Sequence, residues 1–393
     1  MVAFSLFEAD LVNRAFARIG LRARRPLHLL GRAACLLLLT WIPLALLVLI
    51  TGTGSSGPPG QNFFLDFAAY LQFIIGLPLF VIAERIVSER TRDAAELFAA
   101  TGVVARTDVP RLSEIHRLVE RLRRSPASDI VCLGVAYALS VVTIYPQLHA
   151  ARPTWHTTTL ATGVRVFSAA GHWEMWAALP VLNYLWLRWI WKIALWCVYL
   201  FRVSRFRLSL VASHPDGTGG LGFLSDAQSN CGLVILAYGV SNIASTIGYK
   251  IVVEHASPGQ MTVWGPFVGF VVGAPLLFTV PLFMFTKQLS RAKHNAIALY
   301  GRHTMSEAVE FEREWQDSAP GAMNETMRTR LTTHNQLRAL YEHVHRMRVV
   351  PLDFRSFGEL VGYATGPFLP LLTLTQKLDS PPVRWLINHL SGN

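Results

Sequence analysis

The chain has 393 residues, 52% of them hydrophobic and only 16% charged, with a formal net charge of +11. Its apolar residues lie in long runs rather than scattered, which sets it apart from ordinary soluble domains. The positive balance raises nucleic acid as a partner, but no stacking motif or RNP-like run accompanies it, so none is expected.

In chain order, residues 1–32 form a basic lead with six arginines. Phe4, Phe7, Leu11 and Ala15 recur at helical spacing, and Arg14, Arg18, Arg22 and Arg25 repeat almost every four residues. Such a helix lies on a leaflet of anionic headgroups, or serves only as a topology signal for the first crossing. No cleavable signal peptide is apparent, because no small-residue cleavage site follows the first apolar run.

Residues 33–286 read as a transmembrane domain of six helices. A crossing needs about 20 apolar residues, since every backbone N–H and C=O must be paired within the segment. Ala33–Ile50, Phe67–Val87, Ile130–His149, Met175–Phe201, Cys231–Val253 and Trp264–Thr286 meet that requirement. An insert at 88–129 predicts two helices, Ser88–Ala100 and Asp108–Arg124, the second with Pro110 in its first turn.

Residues 287–356 predict a helical hairpin broken at Ala319-Pro320-Gly321. In its second helix Leu337, Leu340, Val344 and Met347 follow three-four spacing, which suits the partner helix, a second copy or another protein. A seventh apolar segment, 357–375, contains Glu359, Pro367 and Pro370 and is a crossing or a re-entrant segment. Residues 376–393 form a tail. The expected fold class is thus an all-α integral membrane protein of six to seven transmembrane helices.

Charge sets the orientation. Of the 36 Lys and Arg residues, 29 fall in 1–32, 84–129, 202–230 and 287–356, while the alternate connections hold only Arg152 and Arg165. The positive-inside rule places the N-terminus and the four basic segments in the cytoplasm.

Two cations break the fourth apolar run. Arg188 and Lys192 are four residues apart, hence on one helical face, and a cation in hydrocarbon costs about 2.5–3.5 kcal/mol unless it finds a partner, a wet cavity or the interface. Depth arithmetic at about 1.5 Å per residue makes Glu84 a partner for either. Two readings stay open: an ion pair that sets helix registry, and a cationic vestibule for an anion or an acidic headgroup.

The stretch HPDGTGGLGFL, residues 214–224, carries Gly217, Gly219 and Gly222 at the G-x-G-x-x-G spacing of nucleotide loops. A dinucleotide fold also needs flanking strands and a downstream acid inside a soluble unit, and here a membrane helix follows, so no nucleotide cofactor is expected. His214-Pro215-Asp216-Gly217 suits a type I turn, and Ser225 or Asp226 is a candidate helix cap. The loop, within 208–230, reads as a rigid turn or as a backbone anion site built from Gly217, Gly219, Gly220 and Gly222. His214 and Asp216 also suit an acid/base pair, but no nucleophile or second carboxylate accompanies them. Cys35, Cys132, Cys197 and Cys231 lie in or beside apolar runs without C-x-x-C spacing, and no His pair has ligand spacing, so neither disulfides nor a metal is expected.

Four stretches, Phe63–Glu84, Leu187–Trp196, His214–Leu224 and Met347–Leu372, together resemble an uncharacterised family of bacterial multi-pass inner-membrane proteins. The resemblance implies a bacterial inner membrane and assigns no activity or residue roles. The expected function is transport or channel-like, with Glu84, Arg188, Lys192 and the 214–222 loop forming a cationic vestibule that faces the cytoplasm. A scaffold or signalling protein acting through the cytoplasmic helices is the first alternative. An enzyme acting on lipid headgroups through His214 and Asp216 is the second.

Overall fold

A computed structural model describes residues 11–21, 26–150, 153–254, 256, 260–317 and 325–371. The first ten residues of the lead, the 319–321 break, residues 372–375 of the seventh segment and the 376–393 tail lie outside the described residues. The fold is 79% helical with almost no strand.

Among the described residues, five helices are long and apolar enough to cross a membrane. We label α1 as Leu11–Arg18 and α2 as His28–Thr51, the first of the five. Pro43 lacks the N–H that would bond the carbonyl of Leu39, and α2 has a turn at Thr40. The freed Leu39 carbonyl accepts the Trp173 indole N–H at 3.2 Å.

The second is α3, Phe67–Ala100, capped by Asp66 Oδ1 on the Ala68 N–H at 2.9 Å. It runs without a break through the point where the sequence suggests two helices. After α4, Val109–Arg123, comes the third, α5, Pro126–His149. A two-stranded hairpin, β1 Thr157–Thr159 and β2 Arg165–Phe167, then leads into a continuous helix over 169–203. Its regular part is α6, Leu179–Val203, which holds Arg188 and Lys192 and is not among the five apolar helices.

The fourth is α7, Phe223–Val252. It begins at Phe223 with Gly222 at its N-cap, so neither Ser225 nor Asp226 caps it; Ser225 Oγ instead accepts the Asp353 N–H at 2.9 Å. The fifth runs unbroken from Met261 to Gln316. It joins α8, Met261–Thr279, through a tight 3-10 stretch, Val280–Phe285, to α9, Thr286–Asp317. Finally come α10, Glu325–His345, and α11, Phe354–Thr365, which ends in a 3-10 turn at Gly366–Phe368.

The packing follows from which faces are apolar. α6 lies between α5 and α4, α3 lies along α7, and α11 fills the angle between α7 and α8. α4 buries Leu112, Ile115 and Val119 against α6, not in a closed hairpin with the end of α3. Outward-facing Ile130, Val142, Leu277, Val280 and Phe283 remain exposed, the pattern of a bundle whose solvent is lipid.

Wide π-helical turns interrupt three long helices, at Tyr70–Gly76, Glu174–Ala178 and Gly239–Ala244. The first and third pack on each other, where Gly76 is required: a Cβ there would sit 2.5 Å from Ser241 Cβ.

Candidate functional site

The basic segments α1, α4, the 202–222 connection and the α9–α10 hairpin gather at one end of the bundle, which we call the basic end. There, α1, α2, α3, α5 and α6 bring four cationic side chains together around two carboxylates.

Glu84 on α3 is the first. Its Oε1 accepts Lys192 Nζ and Asn13 Nδ2, each at 2.7 Å. Arg32 Nη1 lies 3.7 Å from Glu84 Oε2 and donates to Asn13 Oδ1 at 2.7 Å. Asp129, in the first turn of α5, is the second. It accepts Arg14 Nη2 at 2.6 Å and the Tyr184 hydroxyl at 2.9 Å, and Arg188 Nη1 lies 3.2 Å from its Oδ1. Arg188 also donates to Ser128 Oγ at 3.1 Å.

The sequence pairing of Glu84 with a cation therefore holds for Lys192, while Arg188 belongs to Asp129. Four cations face two carboxylates, leaving two formal positive charges. The side chains of Arg188, Arg32 and Lys192 are 1%, 4% and 5% exposed, so these charges are inside the protein. Arg14, at 52%, is the member that reaches solvent.

The cluster is filled. The space between Glu84, Arg188 and Lys192 is a cavity of about 10 Å³, room for at most one water. α1 is what closes it. Asn13 and Arg14 enter the cluster, Phe16 is buried beside them, and the Arg32 guanidinium stacks over the Phe16 ring at 5.1 Å. The amphipathic lead thus docks its described turns into protein as well as facing outward.

The glycine loop does not share this cavity; none of residues 214–222 lines it. Gly217, Gly219 and Gly220 take φ of +63°, +66° and +95°, conformations that favour glycine. The Gly217 N–H closes the turn onto the His214 carbonyl at 3.1 Å. The resulting ring of backbone N–H groups grips an anion, and the anion is the protein's own. Asp216 accepts the N–H of Thr218 at 2.8 Å, of Gly220 at 3.0 and 3.2 Å, and of Gly222 at 2.8 Å. Burial acts to raise the Asp216 pKa, but the bonds from Thr218, Gly222 and Gly220 outweigh it and hold the carboxyl below its usual range. A phosphate at those N–H groups would have to displace Asp216. His214 Nδ1 sits 3.0 Å from Asp216 Oδ1, and its carbonyl is bonded to His343 Nε2 at 3.0 Å.

The loop works as a clasp. Arg348, just past α10, donates its backbone N–H to the Gly217 carbonyl at 2.8 Å and its side chain to the Asp216 carbonyl at 3.0 Å. Lys293 of α9 bonds the Met347 carbonyl at 2.8 Å, and the Val104–Leu208 bridge ties in the chain between α3 and α4. Glu359 is remote from both sites, paired with Arg355 on the exposed face of α11 at 3.1 Å.

A third group of charges sits at the opposite end and has no sequence signal, because its members come from two separate connections, 51–66 and 150–174. Trp155 Nε1 donates to Asp66 at 2.7 Å, and His156, stacked on Trp155, bonds Glu174 at 2.8 Å. Burial alone would depress His156, but Glu174 and Asp66 outweigh it and hold its pKa above the ordinary value. Among the described residues no group of His, Cys, Asp and Glu has the arrangement to hold a metal. No protein-family model, curated protein or solved structure matches this chain, so the fold and these clusters stand on their own geometry.

Proposed function

We propose that this chain is a transport-class membrane protein in a closed state, with six crossings, the basic end in the cytoplasm, and a cationic vestibule sealed by α1. The observation that carries the reading is the Glu84–Asp129 cluster. Burying charges costs more than burying leucine, and ion pairs inside a bundle are weak contributors to stability, so charged residues within membrane helices mark a path or a switch more often than a brace.

Other features support it. The 169–203 helix is long enough to cross, and each of its two cations has a carboxylate partner, which removes the objection to a sixth crossing. The π-turns of α3 and α7 meet within the bundle, and such turns recur at working positions of helices. The alternatives lose support. The stripe on α10 is already covered, since α10 packs along α9 and Val344 and Met347 are buried. The Asp216 oxygens are held by loop N–H groups, which leaves them poor bases for an enzyme.

With α1 displaced, Arg32, Arg188 and Lys192 outnumber Glu84 and Asp129, so the vestibule selects anions. The test is anion efflux from liposomes holding the full chain or its Asn13→Ala/Arg14→Ala variant. The variant is expected to raise efflux about tenfold, the effect of roughly 1.4 kcal/mol on gate opening. Efflux at the level of empty liposomes for both proteins overturns the reading.

A further inference from the structure

We infer that the groove between the 205–212 segment and α9 is a binding site for the phosphate headgroup of an anionic phospholipid. The inference is independent of transport and uses none of the residues of the α1-sealed cluster.

The groove has a volume of about 740 Å³ and is the counterpart in size of a ligand pocket. Arg205, Arg207 and Arg291 line it, no acidic residue does, and Phe206, Leu299 and Tyr300 supply apolar wall. None of the three arginines makes an ion pair among the described residues, in contrast to the four cations of the buried cluster. Three positive charges facing one concavity repel one another, and an anion held between them removes that cost.

Position selects a lipid over a soluble anion. Val198 and Phe201 on α6, and Val280 and Phe283 in the 3-10 stretch before α9, are exposed apolar side chains on the two elements that lead into the walls of the groove. The first cations follow within a turn of them. The Arg205 guanidinium folds back over the Phe201 ring at 4.7 Å, with its stem along apolar surface and its charge at the boundary, the posture of a cation at the headgroup level. Gln288 bonds the carbonyls of Ser204 and Phe206, the latter at 3.0 Å, so the two walls are fixed to each other before any ligand arrives. A phospholipid seated there places its phosphate among the arginines and its acyl chains on the exposed face of Val198, Phe201 and Phe283. The second groove on α9, beside Arg302 and Arg313, contains Glu310 and lacks this one-signed lining.

The experiment titrates the full chain, in neutral detergent, with short-chain phosphatidylglycerol, phosphatidylcholine and inorganic phosphate. The Arg205→Gln/Arg207→Gln/Arg291→Gln variant is compared with an Arg302→Gln/Arg313→Gln control. Phosphatidylglycerol binding is expected to weaken by on the order of a hundredfold in the triple variant and not in the control, from roughly a few-fold to tenfold per arginine at a headgroup surface. The single variants Arg207→Gln and Arg291→Gln give a graded loss, which separates a lost site from a misfolded triple variant. Equal binding by the triple variant, equal binding of phosphatidylcholine, or displacement by inorganic phosphate each overturns the proposal.

Discussion

Glu84 and Asp216 are two carboxylates held in opposite ways. Glu84 is surrounded by side chains from other helices: Lys192, Arg32 and Asn13 reach it from α6, α2 and α1. Asp216 is surrounded by backbone, and its donors lie within six residues of it. The first arrangement needs the whole bundle to be assembled and comes apart if one helix leaves. The second is complete within one turn of chain and, once formed, becomes a rigid part that other segments grip. A charge meant to be released is better held by movable cations than by fixed N–H groups, so the contrast separates a candidate switch from a clasp.

The largest effect is expected at the cluster. Glu84→Ala leaves Lys192 and Arg32 facing each other without a carboxylate, at a cost of about 3 kcal/mol, read as a lower midpoint of thermal unfolding in detergent. The double variant Glu84→Met/Lys192→Met is expected to recover more than half of that loss; no recovery would mean the pair is not the unit described. Asp216→Ala comes next. It strips the acceptor from three N–H groups at about 2 kcal/mol, and hydrogen exchange at Thr218, Gly220 and Gly222 should accelerate while exchange in α3 near Glu84 does not.

Acid should separate the two regions further. Asp216 has a folded pKa below its unfolded value of about 3.9, so its contribution is complete above that value and is lost as pH falls through the folded pKa. His116, buried against Tyr199 at 3.3 Å, has its pKa pushed down by burial to about 4. It binds protons in the unfolded chain first, so it removes stability as pH falls from about 6.5 towards 4. In a His116→Phe background the acid loss of stability should therefore begin only near pH 4; a loss that still begins near 6.5 contradicts the assignment. The smallest effect is Gly222→Ala, whose Cβ would lie 3.0 Å from Asp216 Cβ. It should cost about 1 kcal/mol and loosen the clasp alone.

The sequence made the five apolar helices readable as runs, because lipid demands about 20 apolar residues whatever the partners are. It also made Glu84 and Lys192 readable as a pair, since depth in a helix is arithmetic. Arg188 with Asp129 was not readable, because Asp129 at the start of an apolar run looks like an ordinary first-turn acid. Asn13 has no charge to draw attention, and its place depends on how α1 docks. In the loop, the glycine spacing and the turn were legible, but the motif shows only that N–H groups converge and not that the anion comes from Asp216 itself. His156 and Glu174 left no trace, as their meeting depends on the path of the 150–174 connection, which no local rule fixes.

The unbroken helix from Met261 to Gln316 is, mechanically, a lever. Its α9 arm has 32 residues and so extends about 48 Å past the 3-10 stretch at Val280–Phe285. The glycine clasp holds the returning chain at Met347 and Arg348 near the root of that arm, through Lys293, which makes the root a fulcrum. A change in tilt of about 5° in the apolar part becomes about 4 Å at the far tip, so a small rearrangement among the helices is amplified into a displacement far from the bundle.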